Sequence, residues 1–175
     1  MTQPKKAAVK KNKEPSMNDG EHMDVLKINA LLNSLFTIFS TMVRLEIQAG
    51  VPILKQNNIS KGGATGLIGM KAAGTSGSVA LSLTLPTIRV ISSSMLGEEF
   101  TSFDKEAVDM VGELTNMLVG GAKAILSEKG HDFDMHTPQL LVGDGHEIVH
   151  HNAGQTVLMP IMIDKDEFYI ELNFV

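Results

Sequence analysis

The apolar residues of this chain change their period in blocks, and that blockwise pattern limits the folds open to it. From Asp24 onward Val25, Ile28, Leu31, Leu32, Leu35, Ile38, Phe39 and Met42 recur at helical spacing, which predicts a long first helix over residues 23–43. Residues 65–73 and 76–85 then read as strands joined by a turn at Gly74 and Thr75. In the second of these, Val79, Leu81, Leu83 and Leu85 alternate with Ser78, Ala80, Ser82 and Thr84, the pattern of a strand with one buried face. Helical spacing returns over 87–96, ended by Gly97, and again in a longer helix that Asp104 caps and that runs to about Lys129, with Gly130 as its stop. The last third is strand again: 139–142, then 155–163 and 168–175 as a hairpin turning over 164–167. Residues 45–49 add a short strand candidate before a loop containing Pro52, Asn57, Asn58 and the Gly62–Gly63 pair. Strand groups separated by helices, without regular βαβ alternation, predict an α+β fold. Two long helices and one short helix would pack on a mostly antiparallel sheet.

The length of 175 residues suits one domain, placed at 21–175. Residues 1–20 hold five lysines against Glu14 and Asp19 and almost no large apolar side chains, so they read as a disordered basic leader. Met17 and Met23 are both candidate starts, and no apolar core follows the lysines as a targeting peptide would require. The rest of the chain is acidic, and the net charge of −5 argues against a polyanion as partner. With no Trp and 5% aromatics, a stacking surface for single-stranded nucleic acid is not expected either. Cysteine is absent, which removes disulfides, thiolate nucleophiles and Cys-ligated metals and fits a reducing compartment. The first helix is strongly apolar, yet Lys27, Asn29, Asn33 and Ser40 interrupt it. A membrane span needs roughly twenty nearly unbroken apolar residues, so a buried helix is the expectation. The glycines from Gly62 to Gly77 precede no helix in the manner of a phosphate loop and read as turn and strand glycines.

The second long helix carries the functional argument. At about 100° per residue, Val111, Leu114, Leu118, Ala122 and Ile125 share one face, which should be core. Glu113 and Asn116 project together on the opposite side, with Asp109 and Gly120 along the same outward strip. Gly112, Gly120 and Gly121 each cost about 1 kcal/mol against alanine in a helix, so a close approach by another backbone, internal or from a partner, should compensate. Met110 and Met117 suit core or partner-facing packing, because methionine adapts to irregular surfaces. An E-x-x-N spacing alone says little: with 11 Glu and 9 Asn, chance supplies about one in every two such chains.

The surrounding residues say more. The stretch from Asp109 through Gly112, Glu113, Asn116, Met117 and Gly120 to Lys123 closely resembles the active-site helix of the CheC/CheX/FliY phosphatases, which dephosphorylate the chemotaxis response regulator CheY. The resemblance includes the strand at 76–85 with Ser92-Ser-Ser-Met-Leu-Gly97 after it, the segment from Gly130 to Pro138 and the terminal strand pair, so it covers about residues 23–175. CheC-type members carry two E-x-x-N helices and CheX-type members one. The first helix here has Leu26 before Asn29 and Ala30 before Asn33, so the resemblance is to the CheX type. It implies a cytoplasmic homodimer that hydrolyses the aspartyl phosphate of a CheY-like receiver, with Asn116 orienting the attacking water and Glu113 pairing with the receiver's lysine. Asp109, Gly112, Met117 and Gly120 would face the partner. The receiver would supply Mg²⁺, and the chain would need no cofactor or metal of its own. The alternative is a non-catalytic module that binds a receiver or a flagellar-switch component and keeps the pair by descent.

One motif competes. His146-Glu147-Ile148-Val149-His150 matches H-E-x-x-H, in which two histidines on one helical turn bind zinc and the glutamate acts as base. Gly143, Gly145 and Gly154 leave at most about two turns of helix there, and Ala153 and Thr156 occupy the places of the extended motif's glycine and third histidine. Glu171 would be the remaining candidate ligand. A polar loop is the expectation, as it is for His131, Asp132, Asp134 and His136.

Overall fold

The computed structural model describes residues 19–175. Residues 1–18, most of the expected leader, lie outside the described residues, and Asp19 and Gly20 open the first helix, α1 (Asp19–Ile38). The helical segment runs to Val43 as its hydrophobic pattern suggests, but its last turn is not α-helical. It widens into a π-turn over Phe39–Val43, and Arg44 closes it in a left-handed conformation, φ 58°, its N–H bonded to the Phe39 carbonyl. The wider turn brings both Phe39 and Val43 inward, and Phe39 stacks on Phe168 with centroids 5.4 Å apart.

Two very short strands follow, β1 (Gln48–Ala49) and β2 (Ile53–Leu54), where a strand over 45–49 and then a loop were expected. The hairpin β3 (Ala64–Ala72) and β4 (Thr75–Leu83) leads into α2 (Leu85–Leu96) and α3 (Lys105–Glu128). β5 (Asp134–Met135) and β6 (Gln139–Val142) precede the terminal hairpin β7 (Thr156–Ile163) and β8 (Asp166–Phe174). Its turn is tighter than expected, with Asp164 at φ 54°. The eight strands form one sheet ordered β1-β7-β8-β4-β3-β5. In it β2 also pairs with β7, β6 also pairs with β3, and every pairing is antiparallel. This is the α+β arrangement that the blockwise periods predict. The terminal strand, however, lies between β7 and β4. It is not at an edge and cannot extend the sheet into a second subunit.

The helices cover one face of the sheet. Ile68 and Met70, Val79, Leu81 and Leu83, Met159 and Ile161, and Phe168, Ile170 and Leu172 point to that face and meet Leu31, Leu35, Val111, Leu114 and Leu118 in a single core. The apolar segment Asp24–Val43 has the length and hydropathy of a membrane span, but its Ala30, Leu31, Leu35 and Ile38 are buried in this core. The expectation of one buried face for β4 fails. Ser78, Ala80 and Ser82 on its other side are as buried as Val79 and Leu81, because residues 53–63 and 143–155 fold back over that side of the sheet.

Candidate functional site

Helix α3 begins where Asp104 accepts a hydrogen bond from the Ala107 N–H at 3.0 Å, satisfying one of the free amides of its first turn. Val111, Leu114, Leu118 and Ala122 are buried as its pattern requires, and Ile125 is half-buried against the same core. The helix is held from two sides. Ser34 of α1 donates to the Leu118 carbonyl at 2.8 Å, and a Cβ at Gly121 would strike the Ser34 hydroxyl, so that glycine permits the α1–α3 contact. Gly112 is buried under Leu140 of β6, which would sit 3.1 Å from an added Cβ. Two of the three helix glycines are therefore accounted for within the fold. Gly120 is different: nothing lies within 4 Å of where its Cβ would be.

The outward strip follows from helical spacing. Asp109 and Glu113 are exposed, while Asn116, Met117 and Gly120 are half-exposed. Asp109 is engaged by Lys105 one turn earlier, Nζ to Oδ2 2.8 Å, and that hydrogen bond raises the lysine's pKa above its ordinary value. Glu113 and Asn116 make no side-chain hydrogen bond among the described residues. A carboxylate and a neutral amide thus stand side by side on a rigid helix with their hydrogen-bonding capacity unspent. A hollow of about 1080 Å³ opens elsewhere, beside the π-turn, lined by Phe36, Phe39, Arg44, Ile47 and Met162 and by no residue of α3.

The H-E-x-x-H segment has another role. It is not helical at all. Gly143 and Gly145, at φ 121° and 66°, turn the chain, and Glu147 then bridges Ile59 in antiparallel fashion, with the Ile148 N–H on the Asn58 carbonyl at 2.7 Å. His146 donates through Nδ1 to the Gly143 carbonyl (2.7 Å) and accepts from the Thr65 hydroxyl at Nε2 (2.7 Å). His150 accepts from Ser78 at Nδ1 (2.6 Å) and donates through Nε2 to Glu171 (3.1 Å), whose other oxygen takes the Lys55 ammonium at 2.5 Å. Both nitrogens of both rings are committed to protein partners, and Glu147 points to solvent. No cluster of three metal-binding side chains exists among the described residues. Glu171 does meet His150, but as part of a buried polar network in which Glu171 and Ser78 are essentially inaccessible. Asp134 likewise belongs to β5 and not to a loop.

Residues 64–162 match the sequence model of a family described as Chemotaxis phosphatase CheX. The chain belongs to the CheX family. A CheC-like superfamily protein from Shewanella sp. PV-4 is 44% identical, with a TM-score of 0.80 over 86% of this chain and 98% of that one. The CheY-P phosphatase CheX of Thermotoga maritima is 27% identical over 146 residues, covering 83% of this chain and 92% of that one. The fold is also that of a Borrelia burgdorferi CheX solved as a CheX–CheY–BeF₃–Mg²⁺ complex, at 21% identity and TM-score 0.70, over 85% of this chain and 97% of that one.

Proposed function

We propose that this CheX family member is a phosphatase acting on the aspartyl phosphate of a CheY-like receiver, with Glu113 and Asn116 as its working pair. The observation that carries the reading is that α3 is gripped on its inner side and leaves these two side chains free on its outer side. Hydrolysis of an aspartyl phosphate needs a water held in line with phosphorus. Asn116 offers a donor and an acceptor without net charge, so its amide can orient that water without repelling the phosphoryl oxygens. Glu113 supplies a carboxylate for the receiver's lysine and fixes the helix in register. Gly120, open to solvent, lets the partner's backbone approach the same strip closely, with Met117 as adaptable apolar contact. The rate gain on this reading comes from positioning, and no activated nucleophile is required.

The Borrelia burgdorferi complex, with CheY, BeF₃ and Mg²⁺ present together, supports the view that the metal arrives with the receiver. A receiver substrate places the reaction in the cytoplasm. The functional unit is a homodimer with one site per subunit, which analytical ultracentrifugation checks directly. The deciding experiment follows the decay of a phosphorylated CheY-like receiver with substoichiometric protein, beside a folded Asn116→Ala variant. Fast decay with the wild type and receiver-intrinsic decay with the variant are expected. Stoichiometric sequestration without turnover would make the chain a binding module, and equal acceleration by both proteins would remove Asn116 from the mechanism.

A further inference from the structure

We infer that Gly66 of β3 is a positioning residue for the catalytic helix: its bare Cα seats Thr115 against the sheet, and that seat sets how far Glu113 and Asn116 stand out toward a receiver. The inference rests on the phosphatase reading above. Thr115 lies between the two, and at about 100° per residue its side chain points nearly opposite Glu113 and about 100° away from Asn116, so the seat lies under the turn that carries the pair. Thr115 is fully buried, and its hydroxyl is fixed on the Val111 carbonyl at 2.6 Å. A Cβ added at Gly66 would lie 2.8 Å from the Thr115 Cβ and 3.1 Å from its Cγ2, with Oγ1 closer still. Carbon atoms rest at about 3.5–4.0 Å, so a side chain at 66 must push this turn of α3 off the sheet by about 1 Å.

The displacement has nowhere to spread. One turn further on, Ser34 grips the Leu118 carbonyl and occupies the space beside Gly121, and toward the N-terminus Leu140 lies over Gly112. The helix would therefore tilt at the turn that carries Asn116. Gly77 of β4 provides the contrast. Its missing Cβ faces the Asn173 carbonyl and the Phe174 ring, so filling it strains the sheet without touching α3. A misplacement of about 1 Å in a reaction run by positioning costs on the order of 100-fold in rate.

The test is steady-state dephosphorylation of a phosphorylated CheY-like receiver by wild type, Gly66→Ala, Gly77→Ala, Thr115→Val, Gly66→Ala/Thr115→Ala and Asn116→Ala. Gly66→Ala should lower kcat about 10- to 100-fold with KM changed less than about threefold, since the strip that meets the receiver is intact. Thr115→Val, which pushes from the helix side with a methyl, should lower kcat about threefold to tenfold. The double variant removes the hydroxyl and methyl that collide but keeps the 2.8 Å approach of the two Cβ atoms, so it should regain part of the lost turnover. Gly77→Ala should lose thermal stability while keeping kcat per folded molecule. A folded Gly66→Ala with wild-type kcat, an equal kcat loss in Gly77→Ala, or no recovery in the double variant overturns the inference. If Gly66→Ala does not fold, an unchanged kcat in Thr115→Val does the same. An inactive Asn116→Ala beside a normal Gly66→Ala rejects the seat alone. An active Asn116→Ala, or a wild type without turnover, rejects the reading beneath it.

Discussion

At the centre of the sheet both faces are buried, but by opposite means. Toward the helices, Ile170 and Leu172 of β8 meet Val79 and Leu81 of β4 in a core with no polar side chain among them. On the other side Glu171 and Asn173 of the same strand, Ser78 and Ser82 of β4, and Thr65 of β3 are covered by chain with little regular structure. Burial on the first side rests mainly on shape and volume, with the hydroxyls of Ser34 and Thr115 satisfied by helix carbonyls, so its free energy is spread over many contacts. Burial on the second needs a partner for each polar atom. Lys55, Glu171, His150 and Ser78 form one chain of hydrogen bonds, and Ser60, Thr65, Ser82 and His146 form another. Among the described residues, the Oδ1 of Asn173 is the one buried side-chain atom left without a partner. The two faces therefore fail in different ways when a side chain is removed.

Those failures separate on adjacent residues of one strand. Glu171→Leu leaves the Lys55 ammonium and His150 buried without their carboxylate, and the expected loss is about 3–5 kcal/mol in denaturant unfolding. Ile170→Val, one residue away on the helical face, removes a single methylene and should cost about 1 kcal/mol. If the two losses were equal, the contrast between the faces would collapse. Lys55→Met combined with Glu171→Leu removes both charges together and leaves only the His150 Nε2 without its acceptor, so it should lie about 1–3 kcal/mol below wild type, less than the single change. A double variant as unstable as Glu171→Leu would mean that the loss comes from His150 and not from the stranded Lys55 charge. The smallest expected effect is on pH dependence. Tyr169, the sole tyrosine, has its pKa pushed up to about 12 by burial and by its hydrogen bond to Glu167 at 3.0 Å. Between the ordinary value near 10 and about 12 the unfolded chain has lost the phenolic proton and the folded one retains it, so stability falls as pH rises through that window. Phenolate absorbance follows the titration directly, and Tyr169→Phe should flatten that part of the stability profile.

Reading the chain from its sequence succeeds where the physics is local. Asp104, Gly97 and Gly130 mark helix ends because capping involves neighbours in sequence, and the structure places all three there. The Glu113–Asn116 strip is legible because helical spacing alone puts it opposite Val111, Leu114 and Leu118. The end of the first helical segment at Val43 is legible from its pattern, but its change to a π-turn at Phe39 is not, and Arg44 adopts its left-handed conformation without glycine or asparagine to announce it. Two-residue strands such as β1 and β5 exist because β7 and β3 offer them free edges, and their own residues carry no period. The second buried face is not legible because Ser, Thr and Glu on alternate positions look like a solvated surface. The chain that covers them lies as much as 116 positions away. A histidine pair at zinc-site spacing is equally ambiguous in sequence, because what it does depends on the partners of all four ring nitrogens. Gly66 left no signal of its own, since a strand glycine gives no hint of the threonine that presses on it.

The covering of the second face has a consequence for the order of assembly. Its bonds join Lys55 to Glu171 and Ser78 to His150, 116 and 72 positions apart. The hairpin of β3 and β4 closes over a two-residue turn. Contacts of such long range reward the chain only after the strands between them have found their places, so they form late. The segment 143–155 should thus be the last part of the molecule to lose its amide hydrogens' accessibility during refolding. It should also be the first to exchange when the native protein opens.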